Sequence, residues 1–205
     1  MRLYMIRHGE TQWNVSRRFQ GRSDIPLNDE GRRLARITAE ALAEVPFARI
    51  YTSPLKRARE TAELIKGERD IPVILDERII EIGFGVYEGL CCGKDNYNIP
   101  DPEFMNFFDK PEAYKPPEGA ESIEELKART ADFLQEIVHN KDMENDTILV
   151  STHGAALRGL LSSINNIGIE DFWKGGVHKN CAVTIVDVDV KSDRTVIREE
   201  GKTYY

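Results

Sequence analysis

The 205-residue sequence predicts an α/β fold: a three-layer α/β/α sandwich with a mostly parallel central sheet, helices on both faces and an edge hairpin at the C-terminus. Three observations predict it. Short apolar runs rich in β-branched residues alternate with longer segments whose apolar residues recur at helical spacing. No internal repeat or low-complexity tract interrupts that alternation. Finally, two of the strand-like runs end on the same pair, His8-Gly9 and His153-Gly154, at the position where an open α/β sheet presents its ligand-binding groups.

The first strand is Leu3-Tyr4-Met5-Ile6, stopping on Arg7-His8-Gly9. Glu10 to Asp24 is polar, too long for a tight turn, and reads as a functional loop ending near Pro26 and Asn28. Asn28 is an N-cap for a helix with Leu34, Ile37, Ala41, Leu42 and Val45 on its buried stripe, closed by Pro46. Arg49 to Thr52 is a strand, and Ser53-Pro54 reads as N-cap and first residue of a helix striped by Leu55, Ala58, Ala62 and Ile65. Arg57 and Arg59 stand in its first turns, where the helix dipole favours acids, so a cation there hints at function.

Val73 to Leu75 is a third strand, followed by Glu77, Arg78, Glu81 and a run of glycines. The excursion from about 83 to 120 has no sustained period. It mixes five prolines with Phe104, Met105, Phe107, Phe108 and Tyr114, with one short helix expected at 102–109, and is placed as a cover over the site. Ser122 and Glu125 form a capping box for a long helix buried through Ile123, Leu126, Phe133, Leu134 and Ile137. Thr147 to Thr152 is the strand that delivers His153, and a helix with Leu157, Leu160, Leu161 and Ile164 follows. Ala182 to Val188 and Thr195 to Arg198, around Lys191-Ser192-Asp193-Arg194, form the hairpin. Its edge strand offers pairing across a homodimer, although Lys191, Asp193, Arg194 and Lys202 are charges that discourage it.

Composition narrows the function. The length suits one domain spanning 1–205. No run approaches the roughly 20 apolar residues that cross a bilayer, and no charged-then-apolar leader opens the chain, so no membrane association and a cytoplasmic location are expected. Cys91, Cys92 and Cys181 are odd in number and lack metal or redox spacing; they read as free thiols, the first two as small apolar fillers of the cover. A net charge of -7 argues against a nucleic-acid partner. Residues 1 to 23 nevertheless hold Arg2, Arg7, Arg17, Arg18 and Arg22 against Glu10 alone, a cationic corner suited to a small anion.

A zinc site is the first alternative for two histidines at strand ends. Neither has a partner at short ligand spacing, and Arg7 and Arg57 would repel a cation, so no metal is expected. Guanidinium groups bind planar oxyanions bidentately, and arginines beside two histidines describe a phosphate pocket.

Arg7-His8-Gly9-Glu10-Thr11 with Trp13-Asn14, Ser53 to Thr61, Glu81 before Phe84-Gly85-x-Tyr87-Glu88-Gly89, and Ser151-Thr152-His153-Gly154 together resemble the histidine phosphatase (phosphoglycerate mutase-like) superfamily. The four motifs lie in the family's order between residue 2 and about 188. The resemblance implies that His8 is a nucleophile carrying the phosphoryl group as phosphohistidine, which requires a neutral ring whose other nitrogen donates to a backbone carbonyl. It implies that Arg7, Arg57 and His153, the last as cation or donor, surround the transferring oxygens, with Asn14, Gln20, Gly21 and Gly154 completing the phosphate site. Glu81, four residues before Gly85 in the pattern Glu-x-x-x-Gly-x-x-x-Gly, becomes the proton donor to the leaving oxygen. Its bland alternative is a solvated acid like Glu77 or Glu88. Arg17, Arg18 and Arg22 are loop charges that can reach substrate, and Arg59 reads as a surface partner of Glu63.

The family divides between mutases and phosphatases. Cys91 to Pro117 carries Lys94, Lys110 and Lys115 but no arginine, and so lacks the arginine-rich insertion by which the mutases hold a bisphosphorylated intermediate. The expectation is therefore a metal-independent, cofactor-free phosphomonoesterase acting on a small-molecule phosphate ester. A phosphoglycerate mutase and a non-catalytic phosphate-binding module are the alternatives. Tyr87 and Cys91-Cys92-Gly93 depart from the commoner family pattern and leave the substrate open.

Overall fold

Six strands form one sheet in the order β3-β2-β4-β1-β5-β6 in a computed structural model that describes residues 1–205 apart from Lys94 and Asp193. The strands are β1 (Arg2–Arg7), β2 (Phe47–Thr52), β3 (Val73–Leu75), β4 (Thr147–Thr152), β5 (Val183–Asp189) and β6 (Arg194–Lys202). β3, β2, β4 and β1 run parallel, and β5 and β6 join antiparallel to complete a mixed, mostly parallel sheet. The hairpin is present at the edge; Asp193 of its turn lies outside the described residues, as does Lys94 of the cover.

Side chains alternate between two apolar layers, as the period of a strand requires. Leu3 and Met5 of β1 pack with Phe133, Leu134, Leu157 and Leu160 on one face, while Tyr4 and Ile6 pack with Leu34, Ala35, Ala62 and Ile65 on the other. The helices responsible are α2 (Asp29–Ala41) and α3 (Lys56–Lys66) on the second face, α5 (Ile123–Val138) and α6 (Gly154–Ile164) on the first. The Ser122–Glu125 capping box opens α5, and the Asn28 side chain caps α2 through Gly31 N.

Local departures from the sequence expectation have local reasons. The loop after His8 contains one helical turn, α1 (Gln12–Val15), closed by a capping box between Thr11 and Asn14. On α2 the buried stripe runs through Gly31, Leu34, Ala35, Thr38 and Leu42, leaving Ala41 exposed. Ser53 does not cap α3: the helix starts at Lys56 with Leu55 in the cap position, because the Ser53 hydroxyl is engaged elsewhere. The expected 102–109 helix is the single turn α4 (Asn106–Asp109).

The excursion from 83 to 120 is pinned where it leaves and where it returns. Phe84 bridges Ala120, and Glu121 N donates to Gly83 O. Between those points Phe84, Phe104, Phe107 and Tyr114 form a third apolar cluster with Phe19, Ile123, Leu126 and Phe172. The cover is thus an extension of the core across the amino ends of α5 and α6.

Chain packing at the end of β1 leaves no room for side chains. A Cβ on Gly31 would lie 2.1 Å from Glu10 O, and one on Gly9 would lie 2.6 Å from Gly31 O. Gly31→Ala should therefore cost about 1–3 kcal/mol, the usual range for overpacking a tight interior; equilibrium unfolding in urea measures it, and an unchanged midpoint would contradict the close approach.

Candidate active site

The register of two parallel strands assembles the centre. β1 and β4 are neighbours with Arg7 opposite Thr152, so the residues that follow, His8 and His153, emerge side by side with ring centroids 5.2 Å apart. His8 N donates to Thr152 O at 2.9 Å, continuing the ladder one step past the strand. The His8 ring is buried, and its Nδ1 lies 2.7 Å from Gly9 O. A carbonyl only accepts, so Nδ1 carries the proton and Nε2 keeps its lone pair. Burial, then the Arg57 and Arg7 cations, hold His8 well below its ordinary pKa.

Around it opens a cleft of about 230 Å³ whose wall includes Arg7, His8, Asn14, Gln20, Gly21, Arg57, Glu81 and Gly154. Of the expected site residues only His153 is absent from that wall; it is fully buried beside His8. Its Nε2 is 2.7 Å from Ser53 Oγ, and its Nδ1 has no partner. Ser53 Oγ also accepts from Leu55 N at 3.3 Å; with the Ser53 proton given to Nε2, the imidazole proton stands on Nδ1. Burial first, then Arg57 and His8, hold His153 well below its ordinary pKa, which favours the neutral donor over the cation.

Both arginines are held by backbone carbonyls. Arg57, fully buried on α3, donates to Gly21 O and Ser23 O at 2.7 Å each, and Arg7 Nη1 donates to His178 O. The Nε of each is buried and unpartnered. Burial lowers Arg57 to about 10, opposed by Glu81, so it remains a cation at neutral pH. Arg7 and Arg57 line the cleft and His153 lies beside His8, so three buried donors without partners belong to residues around the same histidine, and guanidinium and imidazole donors suit a phosphoryl group.

Glu81 sits at the amino end of α6. Its Oε1 accepts from Ile82 N (3.0 Å) and Ala156 N (3.1 Å), and its Oε2 accepts from Ala155 N (3.3 Å). The opposite side is the loop after β1. Asn14 Oδ1 accepts from Thr11 N at 3.0 Å, which turns the Asn14 amide nitrogen free for a ligand, and Gln20 meets the Thr11 hydroxyl at 3.0 Å. Gly21 has φ +51°, and a Cβ there would lie 2.0 Å from Glu88 Oε1.

The family model of the histidine phosphatase superfamily (branch 1) matches residues 3–199. The chain belongs to the histidine phosphatase superfamily. It is 35% identical over 78% of its length to an uncharacterized phosphatase, PhoE, of Bacillus subtilis (76% of that protein), and 29% identical over 92% to phosphoserine phosphatase 1 of Hydrogenobacter thermophilus (87% of that protein). The solved structure of YhfR from Bacillus stearothermophilus superposes with a TM-score of 0.89 at 36% identity, covering 98% of this chain and 97% of that one. A 2,3-bisphosphoglycerate-dependent phosphoglycerate mutase of Gloeobacter violaceus is also similar, 32% identical over 84% of this chain and 79% of its own. As a histidine phosphatase with phosphatase relatives, the chain is a phosphoric monoester hydrolase.

Several residues that shape this histidine phosphatase site carry little signal in the sequence. Ser53, read as a helix cap, holds His153 instead. Thr61 accepts from Gly9 N at 3.0 Å while donating to Arg57 O, tying the residue after His8 to α3. Glu88, read as a solvated neighbour of Glu81, accepts from Arg22 N, Ser23 N, the Ser23 hydroxyl and Phe84 N, and so sets the shape of the loop. Asn180 Nδ2 donates to His8 O at 3.0 Å and lies 3.4 Å from Asn14 Oδ1. Arg129 forks onto Glu121 and donates to Arg78 O and Ile80 O, fixing the segment that leads into Glu81. Of the loop cations, Arg17 and Arg18 reach the cleft wall and Arg22 turns to Glu121 at 3.2 Å; Arg59 is exposed, and no Arg59–Glu63 ion pair occurs among the described residues. Cys91 is buried, and burial raises the thiol of Cys92, which lines the cleft. Among the described residues no cluster of three His, Cys, Asp or Glu side chains could hold a metal, and no helix is long and apolar enough to cross a membrane.

The depressed histidines make a stability prediction. Above the ordinary value of 6.5 both states are neutral and the effect vanishes. Below it the unfolded chain binds protons that native His8 and His153 refuse, so stability falls with acidity by up to about 1.4 kcal/mol per pH unit for each. Urea unfolding between about pH 7.5 and about pH 5.5 should show this slope, and His153→Gln should flatten it; an equal slope in the variant would contradict a neutral, buried His153.

Proposed function

We propose that the protein hydrolyses small phosphorylated metabolites in two steps through a phosphohistidine on His8. The 2.7 Å bond from His8 Nδ1 to Gly9 O carries this reading, because it fixes Nε2 as an unprotonated nucleophile in a cleft walled by cations. Nε2 attacks phosphorus as the bond to the leaving oxygen breaks, and Glu81 gives that oxygen its proton. The resulting carboxylate then takes a proton from water, whose oxygen attacks phosphorus; the N–P bond breaks and phosphate leaves.

Arg7, Arg57, His153 Nδ1 and the Asn14 amide hold the three phosphoryl oxygens, with Gln20, Gly21 and Gly154 shaping the cradle. Those fixed cations supply the charge that a metal provides in other phosphatases, so the reaction needs none. The mutase relatives supply the second reading, against which stands the absence of arginine from Cys91 to Pro117. Cytoplasmic residence accords with three free thiols.

Phosphate release from p-nitrophenyl phosphate should persist in excess chelator, and rapid quenching should trap an acid-labile phosphoprotein. His8→Ala should abolish both; activity surviving in that variant, or lost to chelator, overturns the mechanism. Arg57→Lys, which keeps the charge but loses the fork onto Gly21 and Ser23, should lower kcat by about a hundredfold or more. Rapid isomerisation of 3-phosphoglycerate in the presence of a trace of 2,3-bisphosphoglycerate would favour the mutase instead.

A further inference from the structure

The leaving-group side of the cleft is chemically unlike the phosphoryl side. Beyond Glu81 its wall is made by Phe84, Phe107, Phe108, Trp173 and Val177. Trp173 and Phe108 are half-buried with ring centroids 5.0 Å apart, and Phe107 lies 5.1 Å from Trp173. Trp173 Nε1, the one polar atom of these three rings, already donates to Phe107 O. The rings therefore offer a ligand apolar surface and no conventional donor. A Cβ placed on Gly154 would lie 3.1 Å from Val177 Cγ1 and 3.7 Å from both Glu81 Oε2 and Arg7 Nε, so the apolar wall begins where the acid and the phosphoryl-side arginine meet.

Charge around this wall has one sign. Apart from Glu81, no carboxylate lines the cleft among the described residues, whereas Arg17 and Arg18 stand exposed at its rim. An apolar leaving group would exchange water for ring surface. An ammonium group would lose hydration, find Glu81 as the sole carboxyl group in the wall among the described residues, already bonded to three backbone N–H groups, and meet two guanidinium groups.

We propose that the site selects monoesters of aromatic or branched apolar alcohols and discriminates against esters whose alcohol carries an ammonium group as its only charge. The proposal rests on the phosphomonoesterase reading above and adds the substrate class.

The test compares 2-phenylethyl phosphate with O-phosphoethanolamine, by phosphate release from the intact protein. The expected kcat/KM advantage of the phenylethyl ester is about tenfold or more, the factor that about 1.4 kcal/mol of transition-state binding produces. Trp173→Ala and Phe108→Ala should each shrink that ratio several-fold, chiefly through KM for the phenylethyl ester. Equal or faster turnover of the ammonium ester, or a ratio that neither variant moves, overturns the selectivity while leaving the hydrolase intact. Hydrolysis of neither ester nor of p-nitrophenyl phosphate overturns the phosphomonoesterase reading and the proposal with it.

Discussion

The parallel pairing of β1 with β4 is the constraint on which the site depends. With Arg7 opposite Thr152, the next residue on each strand is a histidine, and the backbone bond from His8 N to Thr152 O locks that juxtaposition. A one-residue slip would turn His8 to the other face of the sheet, because successive side chains alternate. Leu3, Met5, Ile148 and Val150 pack in one apolar layer and Tyr4, Ile6 and Leu149 in the other, so a slip would exchange side chains between two differently shaped cores. Core packing therefore fixes the distance between two catalytic candidates to which it contributes no polar atom.

Around that pair the electrostatics are arranged by backbone oxygens. Arg7 is held by His178 O, Arg57 by Gly21 O and Ser23 O, and His8 by Gly9 O. None of these acceptors carries a formal charge, so the cations are oriented without being neutralised. A carboxylate partner would have satisfied them more strongly and left less for an anionic ligand. The same burial keeps both histidines unprotonated, which preserves a lone pair on one and gives the other a single donating nitrogen.

Much of this was legible in the sequence because it is written in local pattern. The strands and their helices follow from hydrophobic period, the α5 cap from Ser122 and Glu125, and the cleft residues from motifs in the family's order. What was not legible depends on contacts between distant segments. Ser53 looks like a helix cap until His153, 100 residues away, is seen to take its hydroxyl. Glu88 looks solvated until the Gly21 loop is laid against it. Asn180 has no local signal at all, since its partners are the carbonyl of His8 and the side chain of Asn14. In the segment from 83 to 120, prolines and aromatics without a sustained period read as irregular chain, and only the packed cluster shows that these rings belong to the core as much as to the cleft.

Phe84 meets Ala120 and Glu88 grips the Gly21 loop, so the cover is fastened at its base, and between those points Phe104, Phe107 and Tyr114 root it in the core while Phe108 turns to the cleft. In evolutionary terms the two inheritances are separable. Residues of the fastening and of the packed cluster must change together or not at all, while side chains that face the cleft can vary without disturbing the layer beneath. A lineage could acquire a new leaving-group preference by rewriting those few positions, keeping the phosphoryl side of the cleft unaltered.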